Sequence, residues 1–206
     1  MSGPAPTLFV SSPIDAHTFL AEYWQQKPLV IRKALPGVEA RIDAEQLFKL
    51  AESEDVESRI VTQSNSSWRV IEGPFHPGVI NANEPGQSLL VQGVDLWSPP
   101  VAQLKEAFNF LPSWRIDDIM VSCASEDGGV GPHFDYYDVF LIQGEGKRRW
   151  ELGGSCDEHT ALIEGAPLKL LSDFKPIDEY ILEPGDVLYV PPGIAHNGTA
   201  IGHSIR

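Results

Sequence analysis

Gly185-Asp186-Val187-Leu188-Tyr189-Val190-Pro191-Pro192-Gly193-Ile194-Ala195-His196 is the stretch whose reading decides the fold. Glu183-Pro184-Gly185-Asp186 supplies the turn residues that precede it, because Pro presets φ and Gly tolerates positive φ. Val187 to Val190 is then a short run of strand-forming residues, suited to crossing the wall of a barrel. Pro191-Pro192-Gly193 turns the chain back, so that His196 points inward on the next rise.

An inward histidine needs partners, and Gly131-Pro132-His133-Phe134-Asp135 offers two. Side chains alternate along an extended strand, so a strand here puts His133 and Asp135 on one face. Glycines at 128, 129 and 131 lead into the pair. Two neutral imidazoles and one carboxylate on one face of an octahedral metal leave three positions open, the arrangement of non-haem iron(II) oxygenases. Zinc is the rival, usually with a single open position in a tetrahedral shell. Manganese, cobalt and nickel also suit these donors.

The bulk properties narrow the class. A chain of 206 residues, 42% hydrophobic and 21% charged, is long enough for one globular domain or one domain with a small appendage. It has no apolar run of the roughly 18 residues a span needs. Its first ten residues lack Lys and Arg, so neither a span nor a secretory leader is expected, and the cytoplasm is the expected location. A net charge of −14 repels phosphate backbones and attracts a basic partner, such as a cationic peptide or a ribosomal or histone-type protein. Cys123 and Cys156 have no CxxC spacing, so neither a zinc site nor a disulfide is expected. Cys123 lies in an apolar run and belongs to the core.

Around this centre the N-terminal part reads as helices and short strands. After a loose lead-in at 1–11, Ser12 and Pro13 predict the start of a helix with Ala16, Phe19, Leu20, Tyr23 and Trp24 on one face. Leu29-Val30-Ile31 predicts a strand. Asp43 and Gln46 predict a capping box opening a second helix, with Ala44, Leu47, Phe48 and Ala51 buried. Two strands are expected over 58–71 around a turn at 64–67, then a loop over 73–86, a strand at 88–91 and a helix from Ser98-Pro99. From Trp114 onward, short apolar runs at 116–124, 136–143, 147–152, 168–171, 180–182, 187–190 and 200–206 predict strands separated by Gly/Pro turns. The expected class is a sandwich or barrel.

The spacing from Gly185 to His196 is that of the second cupin motif, and the chain resembles the JmjC-type 2-oxoglutarate oxygenases, more narrowly the bacterial ribosomal oxygenases. The residues that carry the resemblance are 23–32 (Tyr23 to Arg32), 89–95 and 114–122, continuing through 129–144 with His133-Phe134-Asp135-Tyr136-Tyr137-Asp138. It spans nearly the whole chain. It implies a mainly β fold with a helical N-terminal wrap and a double-stranded β-helix (jelly-roll, cupin) barrel. The division expected is 1–113 for the N-terminal region and 114–206 for the jelly-roll core, with the JmjC domain at about 88–206 overall.

It implies iron(II) on His133, Asp135 and His196, with 2-oxoglutarate and O2 as co-substrates and succinate and CO2 as by-products. It also implies a cation for the far carboxylate of 2-oxoglutarate. Arg148 and Trp150 share one strand face while Lys147 and Arg149 take the other, so Arg148 is the inward candidate, with the Ser122 hydroxyl assisting. Tyr136, Tyr137 and Glu126 are candidates for recognising a cationic substrate. The substrate implied is an arginine of a basic large-subunit ribosomal protein. The alternatives are the same chemistry on histidine, asparagine or an N-methyl group, or a metal-binding cupin module without turnover. The resembling enzymes are homodimers that continue into a helical dimerisation region and a winged-helix-like domain, which are absent from these 206 residues.

Overall fold

The computed structural model of the protein describes residues 8–9, 12–64, 67–76 and 84–206. Parts of the expected lead-in, of the 64–67 turn and of the 73–86 loop, namely 1–7, 10–11, 65–66 and 77–83, lie outside the described residues. The first helix, α1, spans Ala16–Glu22 and starts later than Ser12-Pro13 suggests. The Asp15 carboxylate accepts the Thr18 N–H at 2.8 Å, while Ser12 Oγ accepts the Ile14 N–H in the turn before. A carboxylate both caps the free N–H groups and meets the positive end of the helix, so Asp15 displaces Ser12 as the cap. Of the expected stripe, Phe19 is buried but Leu20 turns outward. The second helix, α2 (Ala44–Ala51), carries the expected capping box. The third, α3 (Pro99–Ala102), tightens into a 3₁₀ turn over Gln103–Phe108.

The strands are β1 (Leu29–Ile31), β2 (Ser58–Ser64), β3 (Ser67–Glu72), β4 (Gln87–Val91), β5 (Val121–Ala124), β6 (Val139–Ile142), β7 (Glu145–Ser155), β8 (Asp178–Leu182), β9 (Val187–Val190) and β10 (Ile194–Ile205). Two expected strands are cut back and a third is lost. The 116–124 run pairs only from Val121, because the Ile119 N–H is taken by Asp95 Oδ1 (2.7 Å) and its carbonyl by the Val94 N–H. The 136–143 run pairs only from Val139, because Asp138 is held aside by Tyr189 and Gln25. The 168–171 run makes a single bridge, Leu171 to Leu162, and no strand. The last strand is longer than expected and already begins at Ile194.

These strands form two antiparallel sheets, ordered β1-β9-β6 and β3-β2-β4-β5-β10-β7-β8. Strands from before residue 113 therefore join both sheets. Between the sheets lie Leu141, Trp150, Leu152, Leu182, Leu188 and Val190. Each such buried side chain contributes about 1.5–3 kcal/mol. The β9 strand is buried on both faces because α1 and the turn after it cover its outer side: Phe19 and Trp24 pack on Tyr189 at 4.9 and 5.9 Å between ring centroids. On the larger sheet, α2 packs Leu47 and Ala51 against Val91, Val121, Cys123 and Ile205. Among the described residues no strand pair joins the two sheets into a closed barrel, and no helix is long and apolar enough to cross a membrane.

Candidate functional site

The β7–β10 ladder sets the inner face of the larger sheet. His196 lies opposite Leu152, Gly198 opposite Trp150, and Ala200 opposite Arg148. Cross-strand partners share a face, and all six of these residues are buried. Gly198 leaves the room the indole needs: a Cβ there would meet the Trp150 ring at 2.6 Å. Trp150 in turn lies 5.9 Å from the His196 ring. Arg148 is buried as expected, and its Nε and Nη2 have no hydrogen-bond partner. Burial, with added repulsion from Arg206, pushes its pKa down to about 9. Lys147 and Arg149 are exposed on the other face, Lys147 pairing with Glu183 at 2.6 Å.

The His133–Asp135 segment differs from expectation, since it is not a regular strand. His133 forms an isolated bridge to His196, N–H to O in both directions at 3.0 and 2.8 Å. The Asp135 carbonyl accepts the Gly193 N–H at 2.7 Å. The loop is therefore docked onto the same turn and strand that carry His196. Gly131 permits this with φ +92°, and a Cβ there would meet Trp68 Nε1 at 2.8 Å.

The result is a cluster of His133, Asp135 and His196 whose ligand atoms all lie within 4.8 Å of one another. His196 Nε2 is 3.5 Å, and His133 Nε2 4.0 Å, from Asp135 Oδ2. Each Nδ1 faces a backbone carbonyl, Gly131 O at 2.8 Å and Ile194 O at 2.9 Å. A carbonyl only accepts, so Nδ1 carries the proton and the Nε2 lone pair is left toward the carboxylate. Burial lowers the pKa of both rings, His196 to about 3 with further repulsion from His133. Both imidazoles are thus neutral, which is the ligating form. This donor set fits iron(II) and other first-row divalent ions.

The remaining candidates divide. Ser122 is buried on β5 with its Oγ unpartnered. Tyr136 and Tyr137 are 65% exposed. Tyr136 packs edge-on against Phe134, and partial burial with the neighbouring Asp135 carboxylate raises the pKa of Tyr137. Glu126 is not brought to the cluster by any described contact: it is exposed, and its carboxylate accepts the Gly202 N–H at 2.8 Å. His159 is exposed, and His203 Nε2 lies 3.2 Å from Cys123 Sγ. Both cysteines are free, Cys123 being buried.

Arg206 is the residue the sequence reading missed. It pairs with Ser122 through two 2.9 Å backbone bonds, and its Cζ lies 5.0 Å from the Trp150 ring centroid. The available signal was its even spacing from Ala200 along the strand expected over 200–206.

Residues 103–206 match the JmjC domain family. The chain is 42% identical over 190 residues to a probable ribosomal oxygenase of Haemophilus influenzae, covering 91% of this chain and 47% of the relative. It is 40% identical over 193 residues to the ribosomal protein uL16 3-hydroxylase of Escherichia coli, covering 91% and 50%. The solved structure of YcfD, a ribosomal oxygenase from Escherichia coli, in complex with cobalt and 2-oxoglutarate, superposes with a TM-score of 0.82 at 38% identity, covering 94% of this chain and 50% of that one. The chain spans about half the length of the curated relatives it matches. With half of its residues in the family match and the two-sheet fold and His-Asp-His cluster in place, the chain belongs to the JmjC domain family.

Proposed function

We propose that this chain is the core of an iron(II)- and 2-oxoglutarate-dependent ribosomal oxygenase that hydroxylates an arginine side chain of a large-subunit ribosomal protein of the uL16 type. The observation that carries the reading is Arg148, buried with two unpartnered nitrogens on the sheet face that also holds His196. A metal store has no use for such a cation. Removing a charge from water costs several kcal/mol unless it is paired, and a carboxylate gripped by the guanidinium fork offsets that cost.

In this reading His133 and His196 hold the metal through Nε2 and Asp135 through its carboxylate. Iron(II), when bound, supplies the oxygen activation coupled to conversion of 2-oxoglutarate into succinate and CO2. The Gly131 and Ile194 carbonyls hold the two rings in the ligating tautomer. Arg148 grips the far carboxylate of 2-oxoglutarate, with the Ser122 hydroxyl assisting. Trp150, Leu152 and Leu182 keep water from the inner face. Tyr136 and Tyr137, open to solvent beside the cluster, offer aromatic faces to a guanidinium, and Glu126 adds negative charge farther along the rim. The net charge of −14 draws in a basic ribosomal protein from the cytoplasm. Residues 114–206 act as the catalytic core, with 1–113 packed on it.

The test is incubation of the protein with iron(II), 2-oxoglutarate and a uL16 peptide. The peptide is expected to gain one oxygen by mass, with an equal amount of succinate. Metal-loaded protein that forms no succinate with any ribosomal-protein substrate would overturn the reading in favour of a binding module.

A further inference from the structure

We propose that Arg206 is a second anion-binding residue of this pocket, pairing with the metal-side carboxylate of the dicarboxylate whose far end Arg148 holds; the inference rests on the 2-oxoglutarate reading above. The register places it. On β5 and β10, Ser204 lies opposite Ala124 and Ile205 opposite Cys123, and the next pair is Arg206 with Ser122. Cys123 and Ile205 face outward into the core under α2. Alternation then turns Ser122 and Arg206 inward together, and the guanidinium comes to rest over Trp150, the ring that packs beside His196.

Neither guanidinium, Arg148 or Arg206, forms a side-chain ion pair among the described residues. The carboxylate that acts on Arg206 is Asp135, which belongs to the metal cluster. A divalent metal would add to the excess of positive charge, so this inner face is matched to a doubly charged anion. Two like charges sharing a low-dielectric space are stabilised by an anion between them. The buried Ser122 Oγ and Trp150 Nε1, both unpartnered, supply neutral hydrogen-bonding groups to the same space.

Burial lowers the pKa of both guanidinium groups, offset at Arg206 by Asp135 and Tyr137 and reinforced at Arg148 by Arg206. The ladder orders them: the Gly198–Trp150 rung lies between the His196–Leu152 and Ala200–Arg148 rungs, so the Arg206 guanidinium over Trp150 is the metal-side cation and Arg148 the far-side one. Its place over the indole holds the guanidinium while leaving N–H groups free to donate.

The test uses the whole chain loaded with cobalt(II) under nitrogen. Two ligands are titrated by calorimetry and tryptophan fluorescence: 2-oxoglutarate, and 2-oxopentanoate, which lacks the far carboxylate. Arg206→Met is expected to weaken both by about tenfold or more, with cobalt affinity unchanged, and Arg206→Lys to recover part of the loss. Arg148→Met is expected to weaken 2-oxoglutarate alone. Unchanged binding of both ligands by Arg206→Met would overturn the proposal, as would a loss confined to 2-oxoglutarate. Failure of the unsubstituted protein to bind either ligand would instead remove the 2-oxoglutarate reading on which the proposal depends.

Discussion

The site is assembled from two regions of unlike character. One is the β7–β10 ladder, regular from Leu152–His196 through Arg148–Ala200, which carries His196, Trp150 and Arg148 on one inner face. The other is the His133–Asp135 loop, which has no ladder of its own and is docked by an isolated bridge and a bond from Gly193. The ladder supplies direction through alternation. The loop supplies two of the three side chains that could hold a metal ion, and depends for its place on the ladder and on Gly131. A metal bound by both would tie the less regular region to the more regular one.

Removing a ligand from either region tests the comparison most severely. His133→Ala and His196→Ala are each expected to abolish metal binding and turnover, a larger loss than the roughly 10–100-fold typical of changes outside the ligand shell. Metal content measured on purified protein checks this; retention of metal by His133→Ala would detach the loop from the site.

Arg148→Met acts on the ladder alone. Affinity for 2-oxoglutarate should fall by roughly 10–100-fold. The metal-free protein should nevertheless melt higher, by the equivalent of about 1–4 kcal/mol, because an unpaired buried charge has been replaced by an apolar side chain. Arg149→Ala, one residue away on the exposed face, should change stability by no more than about 0.5 kcal/mol. Equal effects of the two substitutions in thermal denaturation would show that the faces are not distinguished.

Gly131→Ala acts on the loop. The positive φ and the contact with Trp68 Nε1 at 2.8 Å predict a cost of about 1–3 kcal/mol, together with weakened metal binding. Gly154, where an added Cβ would meet nothing within 4 Å, is the control and should tolerate Ala within about 0.5 kcal/mol.

The smallest effect is chemical. Cys123 lies inside the larger sheet, and burial, then Glu145, push its thiol from 9.0 up to about 11. Its protonated form is thus favoured by folding, so the stability it contributes is intact below pH 9 and lost as pH rises through 11. At neutral pH a thiol reagent should label Cys156, which is only partly buried, and leave Cys123 untouched until the protein unfolds. Rapid labelling of both would contradict the buried β5.

Much of the frame around His196 and Arg148 was legible in advance. The Val187–Val190 strand has the bounds its composition suggests, His196 turns inward after the Pro-Pro-Gly turn, and Arg148 is separated from Lys147 and Arg149 by alternation alone. The α2 capping box was readable for the same reason, since its partners are three residues apart. Less was legible where a distant group intervenes. Asp95 and Val94 take the Ile119 backbone groups that an extended run would give to a strand partner. Tyr189 and Gln25 hold Asp138 out of β6.

Local spacing by itself therefore determined an inward His196 and an inward Arg148, and the residue types of His133 and Asp135 but not what brings them to one place. Only the tertiary structure decided that His133 lies against His196 without a strand around it, that β1 joins β9, and that Arg206 stands opposite Ser122 over Trp150. The reason is physical. A period of two is carried by the chain's own stereochemistry, whereas the neighbour across a sheet is chosen by hydrogen bonds and packing between segments far apart in the chain.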